Sequence, residues 1–294
     1  MYKKHLFLCF IIISSISLSA QCWNLVWEDN FDGNSLDLTK WTPQSGAGGW
    51  GNNELQYYTD RADNIQVSNG TLKIIAKEEN YMGSNYTSAR LRTINQGDWI
   101  YGRFEARLKT PIGKGLWPAF WMLSTDSPYG AWPQGGEIDI MELVGHEANI
   151  SYGSFHYGTP GNLQTQSTGY TLPSGTFHDN FHTFTLEWEA TELRYYIDGT
   201  LYFTGTKASV APYNWPFDQE FHFLLNVAVG GSWPGAPDAT TTFPQIMEVD
   251  YVRVYQMLSD IPVTGKDLVL PYTTNSTYSV PNIPGATYTW SVPT

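Results

Sequence analysis

Along this chain apolar and polar residues alternate in short runs, and no stretch sustains the spacing of an amphipathic helix. Alternation broken by Gly, Asn and Asp predicts half-buried strands joined by tight turns. Asn64 to Ser68 and Thr71 to Lys77 flank Asn69-Gly70, a hairpin signal, and Glu192 to Ile197 and Leu201 to Thr204 flank a second at Asp198-Gly199. Trp99 to Lys109, Phe181 to Glu189 and Gln245 to Tyr255 continue the series. Phe221 to Val229 is nearly all apolar, as a central strand would be. The set predicts an all-β domain of two packed antiparallel sheets, with a groove across the concave one.

One run departs from strict alternation. In Glu137-Ile138-Asp139-Ile140-Met141-Glu142, period two puts Glu137 and Asp139 on one face and would send Glu142 into the core with the isoleucines. Burying an ionised carboxylate there is very costly. A β-bulge with Met141 as the inserted residue restores the phase and returns Glu142 to the face of Glu137. The two Glu Cα atoms would then lie roughly 13 Å apart, a gap that two long side chains can largely close. Retaining glycoside hydrolysis needs two carboxyls roughly 5–5.5 Å apart, one as nucleophile and one as acid/base. Asp139 between them can hydrogen-bond the nucleophile and hold up the acid's pKa by like-charge repulsion. On pattern alone, a solvated acidic strand face is the favoured reading.

The surroundings tip that balance. Trp117 and Trp121 are four apart in a predicted strand and share a face, with Phe120 and Met122 turned to the core. They are either two core indoles or a stacking platform for pyranose rings. His156, on the strand after the acids, is either satisfied by backbone or bonds Asp139 or a substrate hydroxyl. Arg90 and Arg92 alternate on one face, either solvated or reaching the groove. Asn52, Asn53 and Glu54 follow a Gly-rich loop at Gly46 to Gly51, a usual place for binding groups.

Composition narrows the function classes. The chain has 294 residues, 15% of them charged and 15% aromatic, with twelve Trp, nineteen Tyr and a net charge of −12. Lys3, Lys4 and His5, an apolar run from Leu6 to Ile16 and small residues at Ser17, Ser19 and Ala20 read as a secretory signal peptide at 1–20, cut after Ala20 or, failing that, Ser19. The apolar run is too short to span a membrane, and Gln21 before Cys22 argues against lipidation. Cleavage removes Cys9 and two Lys, leaving Cys22 alone and a net charge of −14. That argues against nucleic acid and anionic membrane as partners, and no internal disulfide can form. The spacings show no phosphate cradle, Cys/His metal cluster or nucleophile elbow. After the domain at 21–257 the composition shifts, and 258–294 reads as a linker with the cut-short start of a second module.

The run from Gly135 to Glu142 resembles the active-site signature of glycoside hydrolase family 16, and the extra residue before the last Glu resembles that of its bacterial laminarinase-like endo-β-1,3-glucanases. Trp50 to Gln56, Ser88 to Arg92, Tyr101 to Arg107, Gly115 to Met122, Ala228 to Gly235 and Met247 to Tyr255 resemble the same group in the same order. The resemblance implies a β-jelly roll and hydrolysis with retention of configuration. It implies Glu137 as nucleophile, Glu142 as acid/base and Asp139 as the residue assisting the nucleophile. It places Asn52, Arg90, Trp117, Trp121 and His156 along the sugar-binding cleft. It implies no cofactor for catalysis and a structural calcium held by the backbone oxygens of Glu28 and Gly70 and the carboxylate of Asp250. Tyr288 to Pro293 resembles the opening of a PKD-like immunoglobulin module. The expected protein is a secreted monomer cleaving internal bonds of laminarin-type β-1,3-glucan, with mixed β-1,3-1,4-glucan as a second substrate. An agar- or carrageenan-type galactan hydrolase, a transglycosylase and a non-catalytic glucan-binding lectin remain as alternatives.

Overall fold

The computed structural model describes residues 23–257, so the expected signal peptide at 1–20 and the expected module at 258–294 lie outside the described residues. The strands run in chain order β1 (Trp23–Asp29), β2 (Thr42–Gln44), β3 (Gln56–Tyr58), β4 (Ile65–Ser68), β5 (Thr71–Tyr81) and β6 (Ser84–Ser88). Next come β7 (Arg90–Arg92), β8 (Asp98–Trp99), β9 (Gly102–Lys109), β10 (Leu116–Ser124), β11 (Glu137–Glu142) and β12 (Ile150–Thr159). The last are β13 (Asn162–Thr171), β14 (His182–Glu189), β15 (Glu192–Ile197), β16 (Thr200–Thr206), β17 (Phe221–Val229) and β18 (Gln245–Met257). Among the described residues there is no α-helix, only two short 3-10 turns.

The strands form two sheets. The acid-bearing site sheet has the order β13-β12-β11-β10-β17-β7-β2, with β8 also on β17. The back sheet has the order β16-β15-β14-β9-β18-β5-β6-β3, with β1 also on β18 and β4 on β5. Pairing is antiparallel throughout except between β3 and β6, where two antiparallel sheets were expected. Trp23 of β1 lies opposite Met257 of β18, so the first and last strands are neighbours.

The two sheets are joined by aromatic side chains. Phe223 on β17 meets Phe104 on β9 at 5.7 Å, Phe221 meets Trp188 on β14 at 5.3 Å, and Phe155 on β12 meets Phe203 on β16 at 5.9 Å. Burying a ring of this size contributes about 2–3 kcal/mol, so this aromatic seam stabilises the packing of one sheet on the other. β17 is buried at all nine positions, matching the central strand its sequence predicts.

The two predicted hairpin turns form as expected. Asn69 and Gly70 have φ of 56° and 72°, and Asp198 and Gly199 have 48° and 78°, the left-handed pairs that a two-residue hairpin turn requires. The expected continuous strand from Trp99 to Lys109 does not form. Trp99 pairs with Phe221 in the site sheet, whereas Gly102 pairs with Trp188 in the back sheet. Tyr101 (φ 60°) and Gly102 (φ 137°) make the crossing, and a Cβ on Gly102 would sit 2.6 Å from the Tyr255 carbonyl oxygen. Alternation records which residues are buried, not which sheet they belong to.

Candidate active site

β11 carries the three acids, and its register shows how they share a face. Against β10, Glu142 pairs with Ala119, Met141 with Phe120 and Asp139 with Trp121, which leaves Ile140 without a partner. The predicted bulge is present, but the extra residue is Ile140, not Met141. Both side chains are buried, so either insertion restores the phase, and apolar pattern alone cannot choose between them. Against β12, Glu137 faces His156, Asp139 faces Ser154 and Glu142 faces Tyr152, with Gly153 opposite the bulge. Gly153 is needed there because a Cβ would come within 2.5 Å of the Tyr202 hydroxyl and 2.7 Å of the Tyr195 ring.

Glu137 and Glu142 are half-buried and Asp139 is 4% exposed. Glu142 Oε2 accepts the Trp117 indole N–H at 3.1 Å, and Glu142 Oε1 accepts the Ser154 hydroxyl at 3.3 Å. Glu137 Oε2 accepts the Trp132 indole N–H at 2.7 Å. His156 Nε2 approaches Asp139 Oδ2 to 3.0 Å without hydrogen-bond geometry, and its Nδ1 bonds the Thr165 hydroxyl at 2.8 Å. Glu137, Asp139 and His156 offer ligand atoms within 4.8 Å of one another, a set that could also hold a metal ion.

Burial dominates the ionisation of these acids. It pushes Glu137 up to about 8, helped by the Asp139 charge and opposed by His156 and the Trp132 N–H. It pushes Glu142 up to about 6, opposed by His156 and by the Trp117 N–H, while the Glu137 charge adds to the rise. Asp139 is raised well above the usual carboxylate range by burial and then by the Glu142 charge. Such a group retains protons near neutrality and can present an acid and an anion side by side.

The sugar-binding candidates fall on the same face, on two sides of β11. Arg90 on β7 pairs with Asn226, whose own neighbour on β10 is Ala119, opposite Glu142. Its guanidinium lies 4.8 Å from both the Trp50 and Trp121 rings, and its Nε donates to Gln44 Oε1 at 2.7 Å. Trp121 donates its N–H to Asn226 Oδ1 at 2.7 Å. Neither Trp117 nor Trp121 is in the core, but Trp121 already carries a cation on its ring and Trp117 packs edge-on with Trp233 at 5.4 Å. Asn52 holds the loop after β17, its backbone oxygen accepting Ser232 N at 2.8 Å, and its side chain reaches Glu54 Oε1 at 3.4 Å.

Trp132, Trp233, Tyr152 and Asn226 were not singled out from sequence. Trp132 and Trp233 are exposed aromatics in loops beside the acids. Their Trp-Pro pairs mark turns, but nothing local says where the rings point.

The expected calcium ligands sit on the back sheet. Gly70 is at the tip of the β4–β5 hairpin, whose ladder with β18 runs from Val249 opposite Leu72 toward Asp250. The Asp250 carboxylate is paired with Arg107, and the Glu28 backbone oxygen accepts Lys40 Nζ at 2.8 Å. Two of the three oxygens therefore carry side-chain cations, which a calcium ion would have to displace.

The family model for glycosyl hydrolases family 16 matches residues 52–253. A β-glucanase of Rhodothermus marinus is 42% identical over 261 residues, covering 84% of this chain and 90% of that protein. Among solved structures, an endo-β-1,3-glucanase from Pyrococcus furiosus is 43% identical with a TM-score of 0.76, covering 81% of this chain and 96% of the other. The laminarinase catalytic domain from Thermotoga maritima is 43% identical with a TM-score of 0.75, covering 80% and 99%.

Proposed function

This chain belongs to family 16 of the glycosyl hydrolases, and from that premise we propose that it is a secreted endo-acting glucanase cleaving internal β-1,3 bonds of laminarin-type glucan, with mixed β-1,3-1,4-glucan as a second substrate. The observation that carries the reading is the bulge on β11, which sets Glu137, Asp139 and Glu142 on one face, with the His156 ring 3.0 Å from Asp139. Glu142 protonates the glycosidic oxygen while Glu137 attacks the anomeric carbon and forms a glycosyl-enzyme. Glu142, now a base, takes a proton from water, whose oxygen displaces Glu137 with net retention. Glu137 and Asp139 are both raised and share a proton, and attack proceeds from the form in which Asp139 holds it and Glu137 is the anion.

Glycosidases of this family need no catalytic cofactor, so Glu137, Asp139 and His156 are read as reaction groups, not as ligands. A structural calcium at Glu28, Gly70 and Asp250 would require Lys40 and Arg107 to release their oxygens.

Reducing-end release from laminarin, lichenan, agarose and carrageenan, with the product anomer followed by NMR, tests the proposal. Rapid release from laminarin as the β-anomer is expected, with slower release from lichenan. Release from the galactans instead, or binding to laminarin without products, would overturn it.

A further inference from the structure

One indole in the cleft is aimed by more structure than its own packing requires. Trp132 lies in the loop between β10 and β11 and is 52% exposed, yet its N–H donates to Glu137 Oε2 at 2.7 Å. That loop is tightly fastened. The buried Gln219 side chain donates to the backbone oxygens of Gly135 at 2.9 Å and Pro216 at 2.8 Å, and accepts the Ser124 hydroxyl at 2.8 Å. Ser124 Oγ in turn accepts Ser127 N at 2.9 Å. Within the loop, Gly130 N, Gln134 N and Gly136 N close successive turns onto Ser127, Ala131 and Pro133 oxygens. Trp132 is thus delivered by a rigid loop.

The chemistry of the donor matters as much as its place. An indole N–H donates and never accepts, so it stabilises an ionised carboxylate without competing for the proton. Asp139, the other neighbour of Glu137, can hold a proton and cannot give that guarantee. Fixing one oxygen also fixes the plane of the carboxylate.

We propose that Trp132 is a positioning residue for the nucleophile, its indole N–H holding Glu137 as a carboxylate in one orientation toward the anomeric carbon. The same bond steadies Glu137 when it leaves in the second displacement. This rests on Glu137 being the nucleophile. If Trp132 were only a wall for a sugar ring, the ring would matter and the N–H would not.

Trp132→Phe keeps a ring and removes the N–H, at a position exposed enough that melting temperature should not change. On laminarin it is expected to lower kcat about 10-fold with KM within about 2-fold. The acidic limb of kcat/KM is expected to move up by about half a pH unit, because the carboxylate loses a stabilising donor. A normal kcat or an unmoved limb overturns the proposal, whatever KM does. Glu137→Gln is assayed alongside. If it stays active, the nucleophile assignment fails and the proposal with it; if it is inactive, the Trp132→Phe result stands by itself.

Discussion

Both sheets carry a cluster of carboxylates, on the single strand β11 in one and across the neighbouring strands β14, β9 and β18 in the other, and they treat them in opposite ways. On the back sheet Glu187 is buried but meets Arg103 at 3.0 Å, Arg194 at 3.1 Å and the Tyr196 hydroxyl at 2.8 Å. Glu105 meets Arg103 at 2.9 Å and the Tyr251 hydroxyl at 2.7 Å. Burial would raise Glu248, yet bonds from Lys109 and Thr71 outweigh it and hold its carboxyl below the usual range. On the site sheet the three acids of β11 meet indole N–H groups, a hydroxyl and one histidine, and all three are raised. The same side chain is thus a structural anion where arginines neutralise it and a proton store where aromatics surround it. Reactivity here is a matter of withheld counter-charge.

The largest effect should come from removing the reacting groups. Glu137→Gln and Glu142→Gln should each cut laminarin hydrolysis by about 10³-fold or more, measured by reducing-end release, with the circular dichroism spectrum unchanged. The matching change on the other sheet should do the reverse. Glu187→Gln leaves Arg103 and Arg194 short of their shared partner and should cost about 2 kcal/mol of stability, discounted for the partial exposure of the arginines, with kcat/KM kept. Loss of activity without loss of stability there would erase the contrast.

The smallest effect is the most diagnostic. Glu137 has a folded pKa raised to about 8 over an ordinary value of 4.5, so between those values the native state binds more protons than the unfolded chain. Native stability contributed by this group is therefore present at low pH and declines as pH rises through that window. Glu137→Gln removes the decline, so its melting temperature should exceed wild type by about 2–4 °C near pH 7.5 and converge with it near pH 4. A variant that melts lower at pH 7.5 would mean that the acid sits in a relaxed site.

Much of this contrast is legible in the amino acids themselves. Glu105-Ala106-Arg107-Leu108-Lys109 and Glu192-Leu193-Arg194 interleave opposite charges, whereas Glu137 to Glu142 contains no base. The broken parity of that run foretold the bulge, and the apolar run Phe221 to Val229 foretold its buried strand residue for residue. What was not legible depends on tertiary placement. The hop from β8 to β9 leaves alternation intact. β13 is a polar edge strand without an apolar stripe to betray it. Trp132 reads as one more surface indole until a loop clasped by a distant glutamine turns it inward.

The pairing of Trp23 with Met257 has a further consequence. Polypeptide entering and leaving the domain does so side by side, on the back sheet and not on the sheet that carries β11. Joining those two points with a short bridge and opening the chain at a surface hairpin would preserve every ladder, so circular permutants should fold. By the same logic, cargo tethered at either point extends the enzyme's grasp without touching its teeth.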